Sequence, residues 1–327
     1  MTISELPEEV LLEIFSFYLD HRPDDEHAWY ELVHVCRQWR CLVFASIRRL
    51  RLRLLCTHKR PVKEALDVWP ELPIAVRARD FKPTRIQTLE TNVIAALEHH
   101  DRVCDINLGA YPASLMKIFS TMKKPFPSLI NLNIVSLVRN ESMIPDSFLG
   151  GSAPLLQSIQ FLNIPLPYPE IGKLLLSAPN LVSLCLLLIP RSGPGCTSPE
   201  AMVNGVSVLT RLKSLRLSFS LQTPRPQLQQ ASGHRLPFTR VVLPALTDID
   251  FCGDKEYLED FVSRIDTPLL ADITIRFSHI DQPMSVTPPL RDFISRTEEF
   301  GACSKIDTNS SGGRARIKFF RRDGEGL

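Results

Sequence analysis

Glycine is scarce in this chain, at 14 of 327 residues, while proline reaches 26. That balance argues against floppy linkers and for repeated, stiff starts of structural elements. Neither sign of charge dominates. The 38 basic and 36 acidic side chains leave a net charge of +2, so no bulk field is present to hold nucleic acid or an anionic membrane. The longest apolar run, near Leu181–Pro190, is about half the ~20 residues that a membrane-spanning helix needs. The opening stretch Met1–Glu9 is acidic, where a secretion signal is basic. The eight cysteines form no CxxC pair, and scattered cysteines in a chain this long read as free thiols of a reducing compartment. An intracellular protein, cytoplasmic or nuclear and not membrane-bound, is the expectation. No P-loop, G-x-S-x-G elbow or dinucleotide fingerprint occurs, and no HExxH or Cys/His spacing suits zinc. Neither cofactor nor metal is expected.

What is present is ordinary globular material, 44% hydrophobic and 23% charged, long enough for about two domains. Leu6, Val10, Leu11, Ile14, Phe15 and Tyr18 recur at helical spacing. Pro7 sits where the first turn needs no donor, and Glu8 and Glu9 suit the positive end of the helix dipole. A helix from Pro7 to about Leu19 follows, and then a polar loop over Asp20–Glu26. Trp29, Leu32, Cys36, Trp39 and Val43 mark a second helical stripe, in one or two helices. So small a bundle cannot bury all its apolar residues, so part of it is a partner surface. Charge is segregated too. Residues 1–31 hold nine acids and one base, Arg22, whereas residues 37–60 hold eight bases and no acid.

Leu6-Pro7-Glu8-Glu9-Val10-Leu11-Leu12-Glu13-Ile14-Phe15, followed by Leu32-Val33-His34-Val35-Cys36-Arg37-Gln38-Trp39-Arg40, resembles an F-box. That family's motif is a Leu-Pro start, an apolar helix with Ile-Phe, and a later Val-Cys-x-x-Trp element. The resemblance covers about residues 4–46. The remainder, including Leu54–Val62 and Asp67-Val68-Trp69-Pro70, is similar to the fungal F-box families with leucine-rich C-terminal regions. The resemblance implies binding to a Skp-family adaptor and, through it, to a cullin scaffold. By position, Leu6, Pro7, Val10, Ile14, Phe15 and Trp39 would carry that contact. The plainer alternative for the segment is a helical cap on the following domain.

Beyond residue 100 the chain repeats a unit, Pro-x-Leu-x-x-Leu-x-Leu. It reads Pro127/Leu129/Leu132/Ile134, Pro154/Leu156/Ile159/Phe161, Pro179/Leu181/Leu184/Leu186, Pro244/Leu246/Ile249/Phe251 and Pro268/Leu270/Ile273/Ile275. Asp101 and Thr210 open two further copies without the proline. The alternating end of each unit is a strand with one buried face, and a single unit cannot cover that face alone. Helical stretches at 93–98, 115–122, 171–176, 200–209, 257–265 and 290–295 lie between strands. The expected fold is α/β: a small all-α F-box at 1–46, a linker and cap at 47–100, and a leucine-rich-repeat-like solenoid with a curved parallel sheet at 101–327. The Asn of common leucine-rich repeats is missing from the turn positions. Leu50–Leu54 and Arg314–Phe319 alternate and read as a first and a last strand. The alternating arginines there suit a solvated edge better than nucleic acid. Thr223–Arg240 reads as a surface loop. Gly150 and Gly151 mark a helix stop and turn, and His99-His100-Asp101 a helix end.

The residues flanking the strand leucines would line the concave sheet face: Asp105, Asn107, Asn131, Asn133, Gln160, Arg216, Asp248, Asp250, Asp272 and Thr274. Seven strands span roughly 30 Å, enough for a standard interface of about 800 Å² per partner. The expected role is a non-catalytic adaptor of an SCF-type ubiquitin ligase, with this face holding a protein substrate. Two alternatives remain open: a leucine-rich scaffold unconnected to ubiquitin, and a carboxylate site at Asp248 and Asp272.

Overall fold

The computed structural model describes residues 6–22, 28–57, 62–69, 71–78, 86–138, 144–145, 147–165, 170–189, 197–219, 240–277, 287–297, 309–311 and 314–320. Of 309–311 and 314–320 it describes the backbone alone. The expected loop at 223–240 lies outside these residues except for Arg240, as do 23–27 of the polar connection.

Three helices open the chain: α1 (Glu8–Asp20), α2 (Ala28–Val35) and α3 (Arg37–Ala45). The Pro7 carbonyl accepts from Val10 and Leu11 N–H, so the helix starts where the proline excludes an earlier donor. The second apolar stripe is split at Cys36, which is extended and whose Sγ caps α3 by accepting from the Trp39 N–H.

Strands and helices then alternate. β1 (Leu54–Cys56), α4 (Val62–Val68), β2 (Ile74–Ala78), α5 (Ile86–Leu97), β3 (Val103–Ala110), α6 (Pro112–Thr121), β4 (Asn131–Ser136) and β5 (Ser158–Leu162) lead into α7 (Glu170–Leu176), β6 (Ser183–Ile189), α8 (Pro199–Val206) and β7 (Ser214–Phe219). The short β8 (Val241–Val242) precedes β9 (Asp248–Gly253), α9 (Lys255–Ser263), β10 (Ile265–Asp266), β11 (Asp272–Phe277), α10 (Pro288–Arg296), β12 (Asn309–Ser311) and β13 (Arg314–Phe320). β1 to β7, β9 and β11 form a nine-strand parallel sheet in chain order, extended by β13 and then β12 as antiparallel strands. β8 and β10 pair separately. Each of the seven strands expected beyond residue 100 is present, as is each of the six helices.

Proline acts at two kinds of place. Pro112, Pro199 and Pro288 open α6, α8 and α10 at the first helical turn. The repeat prolines sit one residue into tight turns. Leu129 N–H donates to Phe126 O, Leu156 to Ala153, Leu181 to Ala178, Leu246 to Leu243 and Leu270 to Thr267, at 3.1–3.3 Å. Each bond closes a turn with Pro at its second position, where a fixed φ costs least. Leu209 and Leu212 close the same turn around Thr210. The leucine that ends each of these turns is fully buried.

Register carries the core from strand to strand. Ile106, Leu132, Ile159, Leu184, Leu215, Ile249 and Ile273 are successive partners, as are Leu108, Ile134, Phe161, Leu186, Leu217, Phe251 and Ile275. These ladders pack with Leu115, Phe119, Leu258 and Phe261 of the helices into one apolar core, which also includes Leu11, Phe15, Trp29 and Val43 of α1–α3.

Two expectations change. Leu50, Leu52 and Leu54 are buried as their alternation predicts, but residues 46–51 are turn and the strand begins only at Leu54. Leu50 and Leu52 N–H donate to Ser46 and Ile47 carbonyls, and Arg51 takes φ 51°. A left-handed residue cannot continue a strand. Second, β2 and α4 come before residue 101, so the sheet starts earlier than the repeat. The turn expected at Gly150 and Gly151 is present: between β4 and β5 the described residues hold a 3-10 turn at Phe148–Gly151, with Leu149, Gly150 and Gly151 all at positive φ. A Cβ on Gly150 would lie 2.4 Å from the Pro125 nitrogen, so that turn requires glycine.

Candidate protein-interaction surfaces

α1 is apolar over two adjacent stripes. Leu11 and Phe15 point inward, fully buried. The Phe15 ring meets Trp39 with centroids 4.6 Å apart. Val10, Ile14 and Phe17 point outward, 41%, 40% and 65% exposed. Their spacing of four and three places them on one helical line. The Arg49–Glu13 ion pair and a hydrogen bond from the Tyr18 hydroxyl to Glu31 flank this helix.

The expected adaptor contacts divide accordingly. Pro7, Val10 and Ile14 are exposed; Leu6 and Trp39 are partly buried against the core. Phe15 is corrected: no part of it reaches solvent, so it holds α1 onto α3 and offers nothing to a visitor. Phe17 was missed. Its spacing from Val10 and Ile14 was visible in the sequence, but the neighbouring stripe at Leu11 and Phe15 masked it.

The three-helix unit is anchored through Trp69, just after α4. Tyr30 stacks on it at 4.8 Å with an interplanar angle of 8°, and Trp29 meets it edge-on at 5.2 Å. Trp29 also donates through Nε1 to the Arg53 carbonyl at 3.1 Å.

The polar face of the sheet brings the expected residues into rows. Asp105, Asn131, Ser158, Ser183, Ser214, Asp248 and Asp272 are successive register partners, and so are Asn107, Asn133, Gln160, Cys185, Arg216, Asp250 and Thr274. Asp250 is held between two strands' arginines, with Arg216 Nε 3.1 Å and Arg276 Nη2 2.6 Å away. Asp248 accepts from the Thr247 hydroxyl at 2.6 Å. Asn133 leaves its Oδ1 shielded and without a partner among the described residues.

Two members are corrected. Asp105 is buried because Arg53, from the segment entering β1, lies over it at 3.6 Å, and Asn131 donates to it at 3.1 Å. Thr274 is buried on β11, which is paired on both sides, with β9 and with β13. Neither is open to a partner.

Burial pushes the Cys56 thiol up to about 12, and it also raises Cys104 and Cys185 despite nearby arginines. Such thiols stay protonated and unreactive near neutral pH. Among the described residues no three His, Cys, Asp or Glu side chains gather as metal ligands, although Asp248 and Asp272 are register neighbours as anticipated. His100 meets the Pro125 carbonyl at 2.8 Å beyond the end of α5. No described helix is long and apolar enough to cross a membrane.

Residues 3–53 match the F-box-like family. The match takes in α1 to α3 and ends one residue before β1. No curated protein matches the chain. The F-box-like domain therefore contains the Val10–Ile14–Phe17 stripe and the left-handed turn at Arg51, while the parallel sheet lies wholly beyond it.

Proposed function

We propose that the chain is the substrate-recognition adaptor of an SCF-type ubiquitin ligase. The F-box-like domain docks on a Skp-family adaptor, which links it to a cullin scaffold. The repeating strand–helix region is a leucine-rich-repeat-like solenoid whose polar sheet face takes the protein substrate. The protein acts by raising the effective concentration of its client near the ligase, not as a catalyst.

The observation that carries this reading is the open stripe Val10–Ile14–Phe17 inside the matched domain. Its backing is already packed through Phe15 and Trp39, so the stripe is preformed. Partly exposed aliphatic and aromatic side chains at helical spacing suit a partner's apolar groove. The sheet face supports the client role through its unburied polar groups, among them Asn107, Gln160 and Asp248.

Co-purification of the full chain with a Skp-family adaptor tests the first half. A 1:1 complex is expected, lost on Ile14→Asp. Failure of the wild type to bind any Skp-family adaptor removes the ligase reading and leaves a scaffold without a ubiquitin link. Proteins captured from proteasome-inhibited cells by both wild type and Ile14→Asp are candidate clients of the sheet face.

A further inference from the structure

A cavity of about 370 Å³ opens where the F-box-like domain meets the start of the sheet. Five arginines line it: Arg22 from beyond α1, Arg49, Arg51 and Arg53 from the turn before β1, and Arg77 from β2. Asp20 is the one acid in the wall, and Trp29 supplies an aromatic surface.

Arg22, Arg49 and Arg53 have carboxylate partners. Glu31 lies 3.2 Å from Arg22, Glu13 meets Arg49, and Asp105 lies 3.6 Å from Arg53. The glutamates come from the outer surface, their side chains 61% and 74% exposed. Pairs so exposed contribute little, so a better anion displaces them readily. Each guanidinium carries five N–H donors, and one carboxylate cannot engage them all. The Arg51 side chain has no ion-pair partner among the described residues.

Backbone strain marks the same place. Arg51 is in the left-handed region at φ 51°, a strained conformation for a non-glycine residue. The turn that puts it there also sets Arg49 and Arg53 on the same wall. Three arginines in five residues, held by one strained turn and facing Arg22 and Arg77 from two other elements, form a convergent donor set. Planar guanidinium forks match phosphate oxygens two by two.

We propose that this cavity binds a small, multiply charged phosphate ester, which ties the F-box-like domain to the sheet. The cavity's volume suits a compact free molecule, and its position between two structural units makes the bound anion a cross-link. The proposal stands apart from the adaptor reading and needs no adaptor in its test.

The test uses the full chain, tripolyphosphate as probe, and sulfate at matched ionic strength as control. Saturable tripolyphosphate binding by tryptophan fluorescence, with a rise in melting temperature, is expected. Arg51→Ala with Arg77→Ala weakens binding by about tenfold or more, with circular dichroism unchanged. Arg51→Gly separates binding from folding. It relieves the strained turn, so the ligand-free protein melts higher while the rise caused by tripolyphosphate shrinks. No saturable binding, an equal response to sulfate, or full binding by the double variant overturns the proposal. A phosphoserine peptide forms the other arm. If it binds with the same arginine dependence while tripolyphosphate does not, the phosphate belongs to a client protein and the free-molecule form is wrong.

Discussion

Ile14 and Phe15 are adjacent in sequence and opposite in situation, and replacing them one at a time tests the whole interface argument. Phe15 is fully buried against Trp39. Truncation to alanine removes that ring and leaves a cavity, at a cost of about 3–5 kcal/mol. Ile14 is 40% exposed. Changing it to aspartate gives up little packing and a few tenths of a kcal/mol of helix propensity, so about 1 kcal/mol or less in total. Adaptor binding responds in the other order. A charge placed in the middle of an apolar anchor line costs at least about 2 kcal/mol of binding, roughly thirtyfold in Kd. Urea unfolding gives the stabilities, and titration calorimetry against a purified Skp-family adaptor gives the affinities. Ile14→Asp should bind at least thirtyfold more weakly at near-normal stability, by those same estimates. If Ile14→Asp destabilises as much as Phe15→Ala, the stripe is core. If its affinity is unchanged, the contact lies elsewhere.

Three further outcomes follow from single residues. Burial alone would raise the Glu90 carboxyl, yet bonds from Lys117 at 2.7 Å and Ser114 at 2.6 Å hold it below its ordinary 4.5. Its clamp between α5 and α6 therefore operates above that value and fades as pH falls through the lowered one. Glu90→Gln should melt below wild type at pH 7, and the gap should close as pH falls through the lowered carboxyl value. Gly150→Ala should cost more than about 2 kcal/mol in urea unfolding, because φ is +57° and the new methyl meets the Pro125 backbone; a smaller loss would mean the turn relaxes. Cys56, with its thiol pushed up to about 12, should resist iodoacetamide at pH 8 while the exposed Cys36 and Cys41 are labelled. Mass spectrometry of the folded protein reads this directly, and early labelling of Cys56 would contradict its burial.

Much of the architecture was legible because the repeat is chemically redundant. A proline at the second place of a tight turn, then leucines at period two, specifies turn and strand by local rules, and seven copies specify stacking, since no copy covers its own apolar face. The Asp248–Asp272 juxtaposition followed from that register alone. β2 escaped because Ile74-Ala75-Val76 lacks the repeat's punctuation. Asp105 was misjudged because its cover, Arg53, comes from a segment more than fifty residues away.

By itself, the order of residues determined which stretches become strand, helix and turn, and that α1 carries more apolar surface than so short a bundle can hide. Tertiary structure alone decided which stripe of α1 faces in. Neighbouring positions on a helix differ by about 100°, so two adjacent apolar lines look equivalent until Trp39 closes over one of them. It also decided that arginines 22, 49, 51, 53 and 77 share one cavity. Charges at those separations meet only when the chain has folded and the first strands of the sheet stand behind the three helices.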